Sequence, residues 1–164
     1  MILLKNYKLL SYNEHKELLK IRNLDYVRKT ATLDKIILLD EHLKWVENLD
    51  YSKQYFAVFY KEKIIGGVHL ILSQPLWGMF FKKEIEPFLS MMAVYSFLDY
   101  VKHLEIKNLY GFMKKDNKEA IKLHNFFGIE MMDYDDEFYK TNLNFDNFPP
   151  KFFKNKKIKY QIQK

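Results

Sequence analysis

Cysteine does not occur in this chain, which excludes disulfides, thiolate–zinc sites and a cysteine nucleophile together. Only five glycines and four prolines are present, and no low-complexity linker, internal repeat or composition break appears before Asn144. Long apolar runs are missing too. The opening MILLKNYKLL is interrupted at Lys5, and no later stretch approaches the roughly 18 apolar residues of a membrane span. A soluble, cytoplasmic protein is the expectation. Acids are missing from KFFKNKKIKYQIQK (151–164), which holds six of the 27 basic residues; the remaining 21 balance the 21 acidic ones. The net charge of +6 therefore belongs to the tail, and a neutral body argues against a nucleic-acid-binding face built into the fold. The tail (146–164) is expected as a solvated end, with an anion or partner contact as the alternative.

What is present suffices for one domain with a core: 164 residues, 48% of them hydrophobic. Ser11 and Glu14 form a capping signal ahead of Leu18, Leu19 and Ile21, predicting a first helix. Leu39, Leu43, Val46 and Leu49 predict a second over 37–49. QYFAVFYKEKIIGGVHLILS reads as a hairpin about KEK, and PLWGMFF (75–81) as a third β-rich run. Phe88, Met91, Met92, Tyr95, Leu98 and Val101 give a helical stripe starting at Pro87, a residue suited to the first helical position. KNLYGFM (107–113) is a strand, and IEMMDYDDEFYKTNLNF (129–145) two more about an acidic turn; a strand within Ile2–Leu10 is an option.

DNKEAIKLHNFFGIE (116–130) is the best-punctuated segment. Asp116 and Glu119 predict an N-terminal cap, Ala120, Ile121, Leu123 and Phe127 recur at helical spacing, and Gly128 ends the run. His124 falls on the half-buried side of this helix. The whole order describes one mixed α/β (α+β) domain with a largely antiparallel sheet flanked by helices.

These residues carry a resemblance. IRN (21–23), EHLKWVENL (41–49), YFAVFYKEKIIGGV (55–68), WGMFF, YSFLDYVKHL (95–104) and above all the 116–130 segment resemble the GNAT superfamily of N-acetyltransferases over roughly residues 1–145. Within it they resemble the branch that acetylates nucleotide-linked amino sugars, the pseudaminic-acid pathway type. The resemblance implies acetyl-CoA as co-substrate, no metal, a small-molecule nucleotide sugar as acceptor, no nucleic-acid partner, and a homodimer as an allowed assembly. It implies that a backbone N–H of the third β-rich run polarises the thioester carbonyl while a nearby acid protonates the departing thiolate. The family's acid is a tyrosine; the matching position here is His124. An imidazole is able to take that role, and a core-edge histidine bonded to a neighbour is the plainer alternative.

The cofactor-binding residues implied are Phe80, Phe81, Lys82, Lys83, Leu89, Ser90 and Asn117, the last being otherwise the residue after an Asp116 cap. The family's glycine-rich pyrophosphate loop is replaced here by KKEIEPFLSMM (82–92), with Glu86, Pro87 and Leu89 where glycine or a basic or neutral residue is normal. Pro removes an N–H donor and a carboxylate repels phosphate, so weak or altered CoA binding is expected. A GNAT-fold protein that binds without catalysing is therefore the competing reading.

On the acceptor side, alternation puts His69 and Ile71 on the face opposite Val68 and Leu70. His69 is thus either the base for the incoming ammonium or a half-exposed strand histidine. Arg22 and Asn23 border the acceptor cleft in the family reading or simply finish their helix. His42 and Trp45 are surface neighbours three apart, with Trp45 either stacking a nucleotide base or filling the core.

Overall fold

The computed structural model describes residues 1–164. Ser11 and Glu14 make a complete capping box. Ser11 Oγ accepts from the Glu14 N–H at 3.3 Å, and the Glu14 carboxylate accepts from the Ser11 N–H at 2.6 Å. They start α1 (Tyr12–Arg22), which follows strand β1 (Ile2–Asn6). A short helix that the sequence pattern did not reveal, α2 (Asp25–Thr30), precedes α3 (Leu39–Glu47). Next come β2 (Lys53–Tyr60), β3 (Lys63–Ile71) and β4 (Leu76–Phe81). Lys61 and Glu62 both take positive φ, making the tight hairpin turn whose twist suits antiparallel strands.

Pro87 opens α4 (Pro87–Lys102), as its position predicts. It is followed by β5 (Asn108–Lys114), α5 (Lys118–Phe127), β6 (Glu130–Asp133) and β7 (Phe138–Asn144). Gly128 takes φ 68° and ends α5 in the left-handed conformation that glycine adopts without penalty. The N-cap of α5 is Asn117, not Asp116: the Asn117 side-chain oxygen accepts from the Ala120 N–H at 3.2 Å.

The tail corrects the expectation of a solvated end. Residues 145–153 run through two short 3₁₀ turns, and Tyr160–Gln163 forms β8, parallel to β1. The eight strands lie in the order β6-β7-β5-β4-β3-β2-β1-β8, all antiparallel except β1·β8 and β4·β5. Phe148 and Phe153 are core residues packed on Tyr95, the first stacked and the second tilted, with ring centroids 5.6 and 4.3 Å away. This explains why α4 is buried almost all round from Ala93 to Val101, instead of along one stripe: the sheet covers one side and the C-terminal segment another. A second, smaller core lies on the opposite sheet face, where Tyr7, Leu18, Ile21, Val46 and Leu49 pack on Ala57, Phe59 and Ile64. No helix is long and apolar enough to cross a membrane.

Candidate active site

β4 and β5 are joined at a single register position, Leu76↔Tyr110, and diverge beyond it. The alternation of the β3·β4 ladder decides what faces the resulting wedge. The Lys82 N–H donates to Ile65 C=O, which makes 65·82, 67·80 and 69·78 the hydrogen-bonded pairs. The main-chain groups of Met79 and Phe81 therefore point away from β3 into the wedge. One of them is taken: Tyr26 of α2 donates its hydroxyl to Phe81 C=O at 2.7 Å. Phe80, expected at the cofactor, has its main chain committed to Gly67 and its ring on the smaller core. Met79 and Phe81 hold the free N–H groups instead, Met79 the deeper of the two.

Trp77 stands at the closed end of the wedge, its ring stacked on Phe97 (6.0 Å) and 5.7 Å from His124. Two buried polar atoms lie there without partners, Trp77 Nε1 and Thr141 Oγ1. His124 is only 6% exposed, so its imidazole is turned inward. Its Nδ1–H donates to Ala120 C=O at 2.8 Å, which leaves Nε2 as a lone pair in the neutral ring. Burial lowers its pKa, partly offset by that hydrogen bond.

Continuous with the wedge through Trp77, Met79 and Gly111 is a cavity of about 590 Å³ whose wall also includes Arg22, His42, Trp45, Tyr55, His69 and Gly78. His69 does share a face with Ile71, opposite the core residues Val68 and Leu70. Its ring stacks on Tyr55 at 4.9 Å and 15° and lies over Gly78. Tyr55 in turn meets Trp45 edge-on at 4.6 Å, and Trp45, 41% exposed, forms the rim. Arg22 Nη1 is buried and has no acceptor. The nearby carboxylate Asp34 is already paired with Arg28 at 2.9 Å. Arg22 is thus a guanidinium at a cavity wall without a counter-charge. His42, on the same cavity wall, is buried and bonded to His15.

A side chain at Gly78 has no room. A Cβ there collides with His69 Cε1 and sits 3.1 Å from Nε2 and 3.2 Å from Nδ1. Gly78→Ala is expected to displace the imidazole and lower stability by about 1–3 kcal/mol. Denaturation and a crystal structure check this; an unmoved ring contradicts it.

His42 and His69 each have a pKa held down to about 4 in the folded chain, against 6.5 for an ordinary imidazole. Burial is the main cause in both, with His15 adding to the first and Arg22 to the second. Above pH 6.5 neither folded nor unfolded chain binds these protons. Below it the unfolded chain takes them up and the folded chain does not, so stability falls as pH drops from 6.5 towards about 4. Urea midpoints at about pH 7.5 and about pH 5 should show the lower value in acid; an equal or higher one there contradicts neutral burial.

No family model matches the sequence. The chain is, however, 30% identical to the acetyltransferase PseH of two Campylobacter jejuni strains, over 148 and 151 residues, covering 85% of this chain and 91% of each relative. It belongs to the GNAT N-acetyltransferases of the PseH type. The structure agrees. C. jejuni PseH, solved in complex with acetyl coenzyme A, superposes with a TM-score of 0.70 at 26% identity over 88% of this chain and 99% of that one. Spermidine N-acetyltransferase from Vibrio cholerae, at 14% identity and a TM-score of 0.74 over 87% of this chain and 95% of that one, shares the fold.

For this acetyltransferase the remaining expected residues sort as follows. Asn23 does not face the cavity with a free amide: its Nδ2 donates to Ile37 C=O and its Oδ1 accepts from the Ile37 N–H, both at 2.9 Å. It clamps the loop before α3, and Ile37 supplies the cavity wall. Asn117 Oδ1 is committed to its cap. At the start of α4, the Leu89 and Ser90 amides donate to Glu86 C=O, and Ser90 Oγ to Pro87 C=O. Pro87 has no N–H, so Phe88 offers the first helical amide without an acceptor. Lys82 reaches Glu17 at 3.7 Å, and Lys83 is exposed. The cradle for a pyrophosphate is therefore reduced to one amide and two lysines, while the wedge keeps free main-chain groups and orphaned polar atoms. These features fit acetyl-CoA. Sequence reasoning missed Trp77, Tyr55, Tyr26 and Met79; only the Trp-Gly pair inside a β-rich run hinted at the first.

Proposed function

We propose that this enzyme transfers the acetyl group of acetyl-CoA to the amino group of a nucleotide-linked amino deoxy sugar, in the cytoplasm and in the service of surface-glycan biosynthesis. The observation that carries the acceptor reading is Arg22, a guanidinium at the cavity wall with a buried, unpartnered Nη1. Removing a charged donor from water without an acceptor is costly, and an anionic oxygen of the substrate resolves it. A nucleotide sugar brings phosphates for Arg22 and a base for Trp45 on the rim. A polyamine brings only like charge. The GNAT relationship supports the donor, and the free Met79 N–H supports polarisation of the thioester carbonyl.

The residues act in sequence. The neutral amine attacks, the C–N bond forms and the C–S bond breaks. The attacking nitrogen becomes strongly acidic as that bond forms, so His69 takes its proton even though its basicity is low. His124 serves the departing thiolate only after Nε2 has taken a proton from solvent, since its Nδ1–H is held by Ala120; it then passes that proton to the sulfur and returns to the neutral ring. Burial makes that imidazolium a stronger acid, which favours giving the proton up. An unchanged rate in His124→Ala removes it from the mechanism.

The test is thiol release from acetyl-CoA with a nucleotide-linked amino sugar, the unphosphorylated amino sugar and spermidine. Turnover is expected with the first and little with the others. Arg22→Gln should lower kcat/KM for the nucleotide-linked acceptor by about 10- to 100-fold, the worth of one charged hydrogen bond. Equal turnover of spermidine sinks the acceptor reading.

A further inference from the structure

Two imidazoles meet at the edge of the acceptor cavity. His15 of α1 and His42 of α3 are both buried, with ring centroids 5.0 Å apart and planes inclined by 67°. His15 Nδ1 lies 2.9 Å from His42 Nε2. One hydrogen must lie between them, because two lone pairs repel at this distance and two N–H groups do not fit. The groups around the pair give neither ring a counter-ion. Burial lowers the pKa of His15 and Glu14 acts the other way as the smaller effect, but the Glu14 carboxylate is held by Lys5 at 2.9 Å and by the Ser11 N–H. On the other side His42 faces the rings of Tyr7 and Trp45. Both imidazoles are therefore neutral near pH 7 and carry one N–H each.

The shared hydrogen ties the two tautomers together. If it belongs to His42 Nε2, then His15 is protonated at its own Nε2, and His42 Nδ1 is a bare lone pair. The opposite arrangement puts a hydrogen on Nδ1 of both rings. The Nε2–H form is the more stable one for a neutral histidine, and the first arrangement uses it twice. Nδ1 is then the only uncommitted polar atom of His42, and no protein group bonds it, while the ring forms part of the cavity wall.

We infer that His15 is a positioning residue: through one hydrogen bond it holds His42 as the Nε2–H tautomer, so that His42 Nδ1 accepts a hydrogen bond from a hydroxyl or N–H of the acceptor substrate. The substrate contact rests on the acceptor reading given above; the tautomer does not. Nitrogen-15 NMR of the full chain labelled at histidine separates the two. In the wild type, His15 and His42 are expected as pure neutral Nε2–H forms near pH 7. His15→Leu should leave His42 as a tautomer mixture and raise KM for the nucleotide-linked acceptor roughly three- to tenfold, the effect of one neutral hydrogen bond. KM for acetyl-CoA should not move. His15→Asn, whose amide stands where Nδ1 was, should restore the acceptor KM and the single tautomer. A tautomer mixture in the wild type overturns the proposal, as does an unchanged His42 spectrum in His15→Leu or an equal acceptor KM in all three proteins. Should His15→Leu fail to fold, the wild-type spectrum and the Asn variant decide. Should no acceptor be turned over, the acetyl-transfer reading fails while the spectra still judge the pair.

Discussion

Phe153→Ala is expected to lower folding stability by about 3–5 kcal/mol, a large part of the roughly 5–15 kcal/mol that a domain has. Phe153 is 1% exposed and packs on Tyr95, Phe126 and Phe127, so its ring joins α4 to the end of α5. Little nearby can close the gap, because Tyr95 is also held by Phe148. Deleting residues 146–164 should be worse. It removes Phe148, Phe153 and β8 together, strips the apolar flank of α4 and bares the edge of β1. Urea denaturation of Phe153→Ala measures the first effect and soluble yield of the truncation the second. A loss under about 1 kcal/mol, or a truncated chain that folds normally, means that the C-terminal segment does not complete the core.

His69→Gln should lower kcat by about 10²- to 10⁴-fold, the range for removing a positioned proton acceptor. His69 is held between Tyr55 and Gly78, in the cavity beside Arg22, and is neutral at working pH. A protonated ring there would put a second positive charge beside Arg22. Glutamine keeps polarity but accepts no proton at neutral pH, so the loss should fall on kcat with acetyl-CoA affinity unchanged. A His69→Gln enzyme within about twofold of wild type in kcat removes His69 as the base.

Elements with local signals were legible in the sequence. The Ser11–Glu14 box, Pro87 and Gly128 each mark a boundary through one backbone requirement, and each stands where the pattern put it. The face carrying His69 followed from strand alternation alone. What failed depends on distant partners. The tail reads as a basic, solvated end because 151–164 holds six lysines and no acids, yet Phe148 and Phe153 point the other way into α4. The choice of Met79 over Phe80 follows from the hydrogen-bond phase of the β3·β4 ladder, which side-chain pattern does not encode. Asn23 looked like a cleft residue, but its amide is matched to Ile37, fourteen positions on. His15 carried no signal, since a histidine in a capped amphipathic helix is unremarked until a second one is found against it.

The wedge between β4 and β5 takes acetyl-CoA although Glu86, Pro87 and Leu89 stand where the family has its glycine-rich loop. Calorimetric titration of the intact protein with acetyl-CoA tests it most directly. One site of micromolar affinity that weakens with added salt is expected where lysines and a single helical amide hold the phosphates. No heat at millimolar acetyl-CoA would contradict it and leave a GNAT fold that binds something else.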